Sequence, residues 1–299
     1  MPRSCRRLPV GLQERVRGAG GSDSEAPEEV LSRFFQSYAA GGNPHGLRLL
    51  GQMQHVVSAL RAARSLPLHV VELSESPDGQ AIREGLGHLG RRTYKTGFIR
   101  TPLHEVAAVL LLPTAPNEYG LGSSKQTVRR KARAAEKAGV HWTRVDDVDE
   151  RLRLIALSEE RERHHPLERY RTENVDNSRL LRSSLWLVAY SSQDVPLLIA
   201  AVPVDGRWSM LDYFRILEDT PVASNARYLM SWVLAEQLVE RGVRYLADTS
   251  TMSNLPDGLR HFQHILGYRV IRLRFSPANV SRPRWARGLR SASRLVRPS

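Results

Sequence analysis

The stretch "SNARYLMSWVLAEQLVERGVRYLADTS", Ser224 to Ser250, decides the fold. Its first part reads as a long helix, with Ser224 or Asn225 as cap and Gly242 as stop. Its last part, "VRYLADTS", reads as a strand. Upstream, "LWLVAY" (185–190), "PLLIAAVPV" (196–204) and "WSMLDYFRI" (208–216) are three strands separated only by turns, at Ser191–Asp194 and Asp205–Gly206. Downstream, "GLRHFQHILGY" (258–268) is a short helix ended by Gly267, and "YRVIRLRF" is a last strand. Hairpin connections exclude a doubly wound parallel sheet, whose strands need helical crossovers. The order predicts an α+β fold, with a mostly antiparallel sheet flanked by helices.

Working outward, residues 1–27 are rich in Gly, Ser, Pro and Arg and read as a disordered basic tail. Residues 28–66 read as a helical extension, its second helix carrying Leu47, Leu50, Met53, Val57 and Leu60 on one face. A catalytic domain is expected over 67–278, divisible into two related halves at 67–145 and 146–278. Within it "LHVVEL" (68–73), "EVAAVLLL" (105–112) and "VHWTRV" (140–145) read as strands. The helix between the last two has Ser123 or Ser124 as cap and Gly139 as stop. Residues 279–299 form a second basic tail.

The 299 residues are 41% hydrophobic and carry a formal net charge of +13. Five Arg against Glu14 in residues 1–20, and six Arg with no acid in 281–299, put most of that charge in the tails. A basic tail suits an anionic partner as well as plain solubility. No apolar run approaches the roughly 18 residues of a membrane-spanning helix. The basic start lacks the apolar segment of a secretory signal. The single cysteine, Cys5, excludes an internal disulfide and a cysteine-based zinc site. The expected location is the cytoplasm, without a membrane partner.

The most biased segment is the helix at 124–138. Lys125, Arg129, Arg133 and Lys137 recur every four residues along one face, with Arg130 and Lys131 beside them. Like charges at that spacing oppose the helix, which invites a compensating anion such as a phosphate. The alternative is a solvated face paired to the acidic run "DDVDE" at 146–150. His164 and His165 with Glu159, Glu160 and Glu162 are metal-like in composition, yet on so charged a helix they read as a solvated face, and no metal is expected. Alternation places Leu211, Tyr213 and Arg215 on one face of their strand, with Asp212 and Phe214 on the other. Asp248 ends a strand at the mouth of the sheet, where a proton acceptor is useful; a turn cap is the plainer role.

Two segments carry a resemblance. "ARYLMSWVLAEQLVERGVRYLADTS…GLRHFQHILGYRVIRLR" resembles the C-terminal half of the GNAT-type acyltransferase superfamily, and is similar most to its FemAB-like, aminoacyl-tRNA-dependent branch. That branch has Phe-Lys-x-x-Phe-Gly in the short helix; Phe262, Gln263, Leu266 and Gly267 keep the spacing, with Gln for Lys and Leu for Phe. The basic helix, Ala-Gly-Val, strand and helix from Ser123 also look like that branch. The resemblance covers roughly residues 85–275. It implies a GNAT-like sheet and transfer of an acyl or aminoacyl group from an activated donor to a small amine or peptide acceptor, forming an amide. In that reading Asp248 takes the proton and Tyr213 polarises or positions. Ser224, Asn225, Ala226 and Arg227 adjoin the donor, and Lys125, Arg129, Arg130, Arg133 and Lys137 contact phosphates or tRNA. No tightly bound cofactor is implied. Charged tRNA is the favoured donor and acyl-CoA the alternative co-substrate. "VASNARYL" lacks the glycine-rich turn with which acetyl-CoA enzymes of the superfamily grip pyrophosphate. A catalytically inactive nucleic-acid-binding relative is the alternative of another class.

Overall fold

The two strands "PLLIAAVPV" and "WSMLDYFRI" pair with each other along a hairpin, and each changes sheet partway. This is seen in a computed structural model that describes residues 26–41, 48–87, 102–165, 168, 171–249 and 257–276. Both basic tails, apart from residues 26 and 27, lie outside the described residues. On one strand β5 (Pro196–Val202) gives way at Pro203 to β6 (Val204–Asp205). On the other, β7 (Trp208–Leu211) gives way at Asp212 to β8 (Tyr213–Ile216). Proline has no N–H for the ladder, so a strand breaks there readily. Val202 and Pro203 oppose Met210, Leu211 and Asp212, one residue more, as in a bulge that bends the chain. Asp212 N–H turns back to the Met210 carbonyl at 2.9 Å.

The expected single strand is therefore two, and the alternation expected across Asp212 fails. Leu211, Phe214 and Ile216 pack in one cluster, while Tyr213 packs in another beside Leu217.

The switch builds two sheets. β5 and β8 join β3 (His141–Arg144) and β4 (Leu185–Tyr190) in a four-stranded antiparallel sheet of order β3-β4-β5-β8. β6 and β7 join β1 (Leu68–Val71), β2 (Val106–Leu111), β9 (Tyr245–Asp248) and β10 (Tyr268–Phe275) in a six-stranded sheet of order β1-β10-β2-β9-β7-β6. Only β1 with β10 and β7 with β9 run parallel. Strands from before and after residue 145 mix in both sheets. The fold is α+β, a mixed and mostly antiparallel sheet flanked by helices, with a helical N-terminal extension.

Among the described residues there are seven α-helices: α1 (Pro27–Gly41), α2 (Arg48–Ser65), α3 (Pro77–Gly85), α4 (Gln126–Lys137), α5 (Val148–Arg163), α6 (Pro221–Glu240) and α7 (Asp257–Leu266). Period-two alternation assigns them their places. On β4, Leu185, Leu187 and Ala189 face α4 and α6, while Trp186 and Val188 face α5. On β2, Ala107 and Val109 face α3, Val106 and Ala108 face α1 and α2, and Leu110 faces α6. A strand covered on both sides is apolar throughout, which is why "EVAAVLLL" shows no polar alternation. The extension packs through small residues. Ala59, Ala62, Ala63 and Leu66 are buried, whereas Val57 of the expected stripe is exposed. The side chains of Leu47, Leu50 and Met53 lie outside those described.

α6 is the central helix, buried at Leu229, Met230, Val233, Leu234 and Leu238. It ends where the sequence predicts. Gly242 (φ 79°) lets its own N–H reach the Val239 carbonyl at 2.9 Å and that of Val243 reach Leu238 at 3.0 Å. α4 ends the same way at Gly139 (φ 80°), with bonds from Gly139 to Glu136 and from Val140 to Ala135. The starts differ from expectation. α6 is capped by Thr220, whose Oγ1 accepts from Ala223 N–H at 3.1 Å, with Pro221 in the first turn. α4 has no serine cap; a 3-10 turn over Ser123–Lys125 leads into it.

Candidate active site

The fork where β7 and β8 part company opens a cavity of about 840 Å³. Its floor is the parallel pair β7 and β9, where Leu211 stands opposite Asp248. One wall is α6 and α7, with Arg227, Phe262 and Gln263; the other is β8 and α5, with Tyr213 and Glu162. Three residues singled out in the sequence, Asp248, Tyr213 and Arg227, therefore line one cavity.

Asp248 is only 6% exposed. The Gln263 side-chain amide donates to its Oδ2. α7 delivers that amide because Phe262, Gln263 and Leu266 are buried while His261 and His264 are exposed. Thr249 Oγ1 donates to the Leu211 carbonyl at 3.3 Å, tying the end of β9 to the fork. Tyr268, half-buried beside them, has its enclosed hydroxyl pushed well above the usual range, first by burial and then by the Asp248 charge.

On the far wall Tyr213 donates its hydroxyl to Glu162 Oε1 at 2.9 Å. Burial is the main cause that raises the Tyr213 pKa above its ordinary value, so the phenol stays protonated and committed to Glu162. Asn177 Nδ2 donates to the same oxygen at 3.3 Å and to Ser158 Oγ at 3.2 Å. Arg215 Nε lies 3.7 Å from Glu162 Oε1, and Arg179 pairs with Asp212 at the switch point. Arg161 pairs with Asp219 at 2.8 Å.

Arg227 projects from the second turn of α6. Its guanidinium lies 4.2 Å from the centroid of the Phe262 ring, and its Nε has no hydrogen-bond partner among the described residues. It forms no ion pair among the described residues, and burial lowers its pKa from the ordinary arginine value. Ser224, Asn225 and Ala226 lie within the helix rather than at its start. The Ser224 N–H already bonds the Thr220 carbonyl at 2.9 Å. The expected backbone donors at these three positions are thus occupied inside α6, because the helix begins at Pro221.

The basic stripe divides. The Lys125 ammonium bonds the Leu266 carbonyl at the C-terminus of α7 and lies 4.3 Å from the centre of the Tyr119 ring. Burial brings its pKa down to about 8. Arg129 donates to the Gly120 and Gly122 carbonyls at 2.6 and 2.7 Å. Arg130, Arg133 and Lys137 remain exposed and form no ion pair among the described residues. The acidic run does not neutralise them: Asp146 pairs with Arg144, Asp147 caps α5, and Glu150 pairs with Arg153.

The sequence reading missed Glu162, Asn177 and the role of Gln263. The charged run predicts a solvated face for Glu162, as His164 and Glu160 have, but it is 8% exposed. The available signal was its spacing: Leu154, Ser158 and Glu162 fall at i, i+4 and i+8 on the buried side of α5. Among the described residues no three His, Cys, Asp or Glu side chains gather to hold a metal ion, and no helix is long and apolar enough to cross a membrane.

No protein-family model matches the chain, and no curated protein matches it. Among solved structures, it is similar to the C-terminal domain (DUF2156) of a protein assigned as a lysylphosphatidylglycerol synthetase from Agrobacterium fabrum. Identity is 15%, the match covers 56% of this chain, and the TM-score is 0.43. It is also similar to L-PGS from Bacillus licheniformis, at 12% identity over 56% of this chain with a TM-score of 0.39. The match spans 60% of the length of each. The expected kinship is corrected accordingly: the structures found are of lysylphosphatidylglycerol synthetase and L-PGS, not of the FemAB-like branch of the GNAT superfamily. The physical reason is local. Phe262 and Leu266 are spaced by the buried face of α7, and Gly267 adopts φ 87° to turn into β10, so packing alone accounts for the spacing.

Proposed function

We propose that the cavity at the strand fork transfers an acyl or aminoacyl group from an activated ester or thioester to an amine. The observation that carries this reading is the convergence on one cavity of a buried carboxylate, Asp248, and a cation, Arg227, that has no acidic partner among the described residues. An activated donor asks little of the protein beyond alignment, proton removal and charge stabilisation. The amine nitrogen attacks the acyl carbon; the C–N bond forms and the bond to the leaving oxygen or sulfur breaks. The amine proton passes to Asp248 and from there to the leaving group. Gln263 holds the carboxylate in place, and Arg227 holds an anionic part of the donor.

Donors of both favoured kinds carry phosphates. Arg130, Arg133 and Lys137 on the outer face of α4 are the exposed cations we assign to them, while Lys125 and Arg129 serve carbonyls of the scaffold. Charged tRNA is the first donor to test and acyl-CoA the second. A thermal-shift screen against coenzyme A thioesters, run beside a radiolabelled aminoacyl-tRNA transfer assay, separates them. Saturable stabilisation by a thioester with no transfer from tRNA would assign the donor to coenzyme A. Absence of transfer from either class to any of a panel of primary amines would overturn the reading.

A further inference from the structure

Glu162 has two carboxylate oxygens in different situations. Oε1 accepts from Tyr213 and Asn177 and faces Arg215 at 3.7 Å. Among the described residues no hydrogen bond reaches Oε2, although the residue is 8% exposed and lines the cavity. An ionised carboxylate taken out of bulk water is costly unless its oxygens are matched. The two bonds to Oε1 fix the carboxylate plane, so the direction of Oε2 is set before anything binds. Asn177 is itself held, by its backbone N–H on Glu159 Oε1 at 2.9 Å and its side chain on Ser158. Arg215 approaches Oε1, with its Nε at 3.7 Å, makes no hydrogen bond to the carboxylate, and has a side chain that is 53% exposed.

We propose that Glu162 Oε2 is the binding point for a primary ammonium group of the substrate. The group must be compact, cationic and rich in donors, which describes an ammonium. A protonated amine has no lone pair, so the group held here is a recognition handle and not the attacking nitrogen. The cavity then reads as bipolar, with an ammonium at Glu162 on the α5 wall and an anion at Arg227 on the α6 wall. The inference rests on the transfer reading only in calling the ligand a substrate.

Binding without any acyl donor tests it. Calorimetry would compare leucinamide with 4-methylpentanamide, which lacks the α-ammonium, and 6-aminohexanamide with hexanamide, which lacks the terminal one. The expected result is a preference of about tenfold for the ammonium member of at least one pair, lost in Glu162→Gln. The pair that discriminates identifies the source of the ammonium. Equal binding within both pairs overturns the proposal, as does an undiminished preference in a folded Glu162→Gln protein. If that variant does not fold, Tyr213→Phe is read instead. It keeps the carboxylate but frees its orientation, and the preference should fall to about threefold; no change would overturn the proposal. Failure of acyl transfer would leave these binding results standing, and transfer without an ammonium preference would sink the subsite alone.

Discussion

Lys125 and Gln263 look interchangeable with their neighbours in the sequence, and the fold gives each a fixed partner. Lys125 is one of four cations in the stripe; it caps the C-terminus of α7, the helix that presents Gln263 to Asp248. A cation at a helix C-terminus is favourable, but its burial lowers the Lys125 pKa to about 8 against about 10.4 for an ordinary lysine. Between those values the unfolded chain binds more protons than the folded one, so this group makes stability rise with pH there. Lys125→Met has no such group. The stability difference, wild type minus variant, should therefore increase from about pH 8 to about pH 10.4 in urea unfolding and stay flat below that window. Parallel curves would contradict the assignment. The position of Asp248 at the end of a strand was legible in the sequence. Glu162 was not, because a run of charges hid its place on the buried side of α5.

Element boundaries were legible wherever glycine set them. Gly139 and Gly242 were read as stops, and both hold positive φ at helix C-termini. They should differ in cost on substitution. A Cβ at Gly242 meets nothing within 4 Å, so Gly242→Ala should lose only the conformational term, about 1 kcal/mol. At Gly139 the added carbon would lie 2.8 Å from the Ser192 Cβ, so Gly139→Ala should cost about 2 kcal/mol or more. Denaturant midpoints of the two variants check the order. The change of sheet at Pro203 and Asp212 was not legible, because a bend between sheets leaves the hairpin pattern of apolar residues intact. Yet the fork exists only because β8 leaves the sheet that β7 belongs to. The cap of α6 was misplaced for a related reason: Ser224 and Asn225 are good cap types, but Thr220 before Pro221 is better placed for the first turn.

At the scale of the whole molecule, the charge divides into internal and external parts. Lys125 and Arg129 are consumed by carbonyls, while Arg130, Arg133 and Lys137 stay exposed on α4. If the exposed three meet phosphates, replacing them together with Glu should lower the slope of log affinity for tRNA against log salt by about three, roughly one per cation. An unchanged slope would place phosphate binding elsewhere. The α+β class followed from the hairpin order, because connection lengths alone exclude a doubly wound sheet. The meeting of Asp248 with Tyr213 and Arg227 in one cavity depends on long-range packing that no local pattern encodes. The central claim is that Asp248 accepts the proton when the acyl group moves. Transfer of a radiolabelled acyl group to an amine should fall by about 100-fold or more in Asp248→Asn at an unchanged melting temperature; full turnover by that variant would contradict the account.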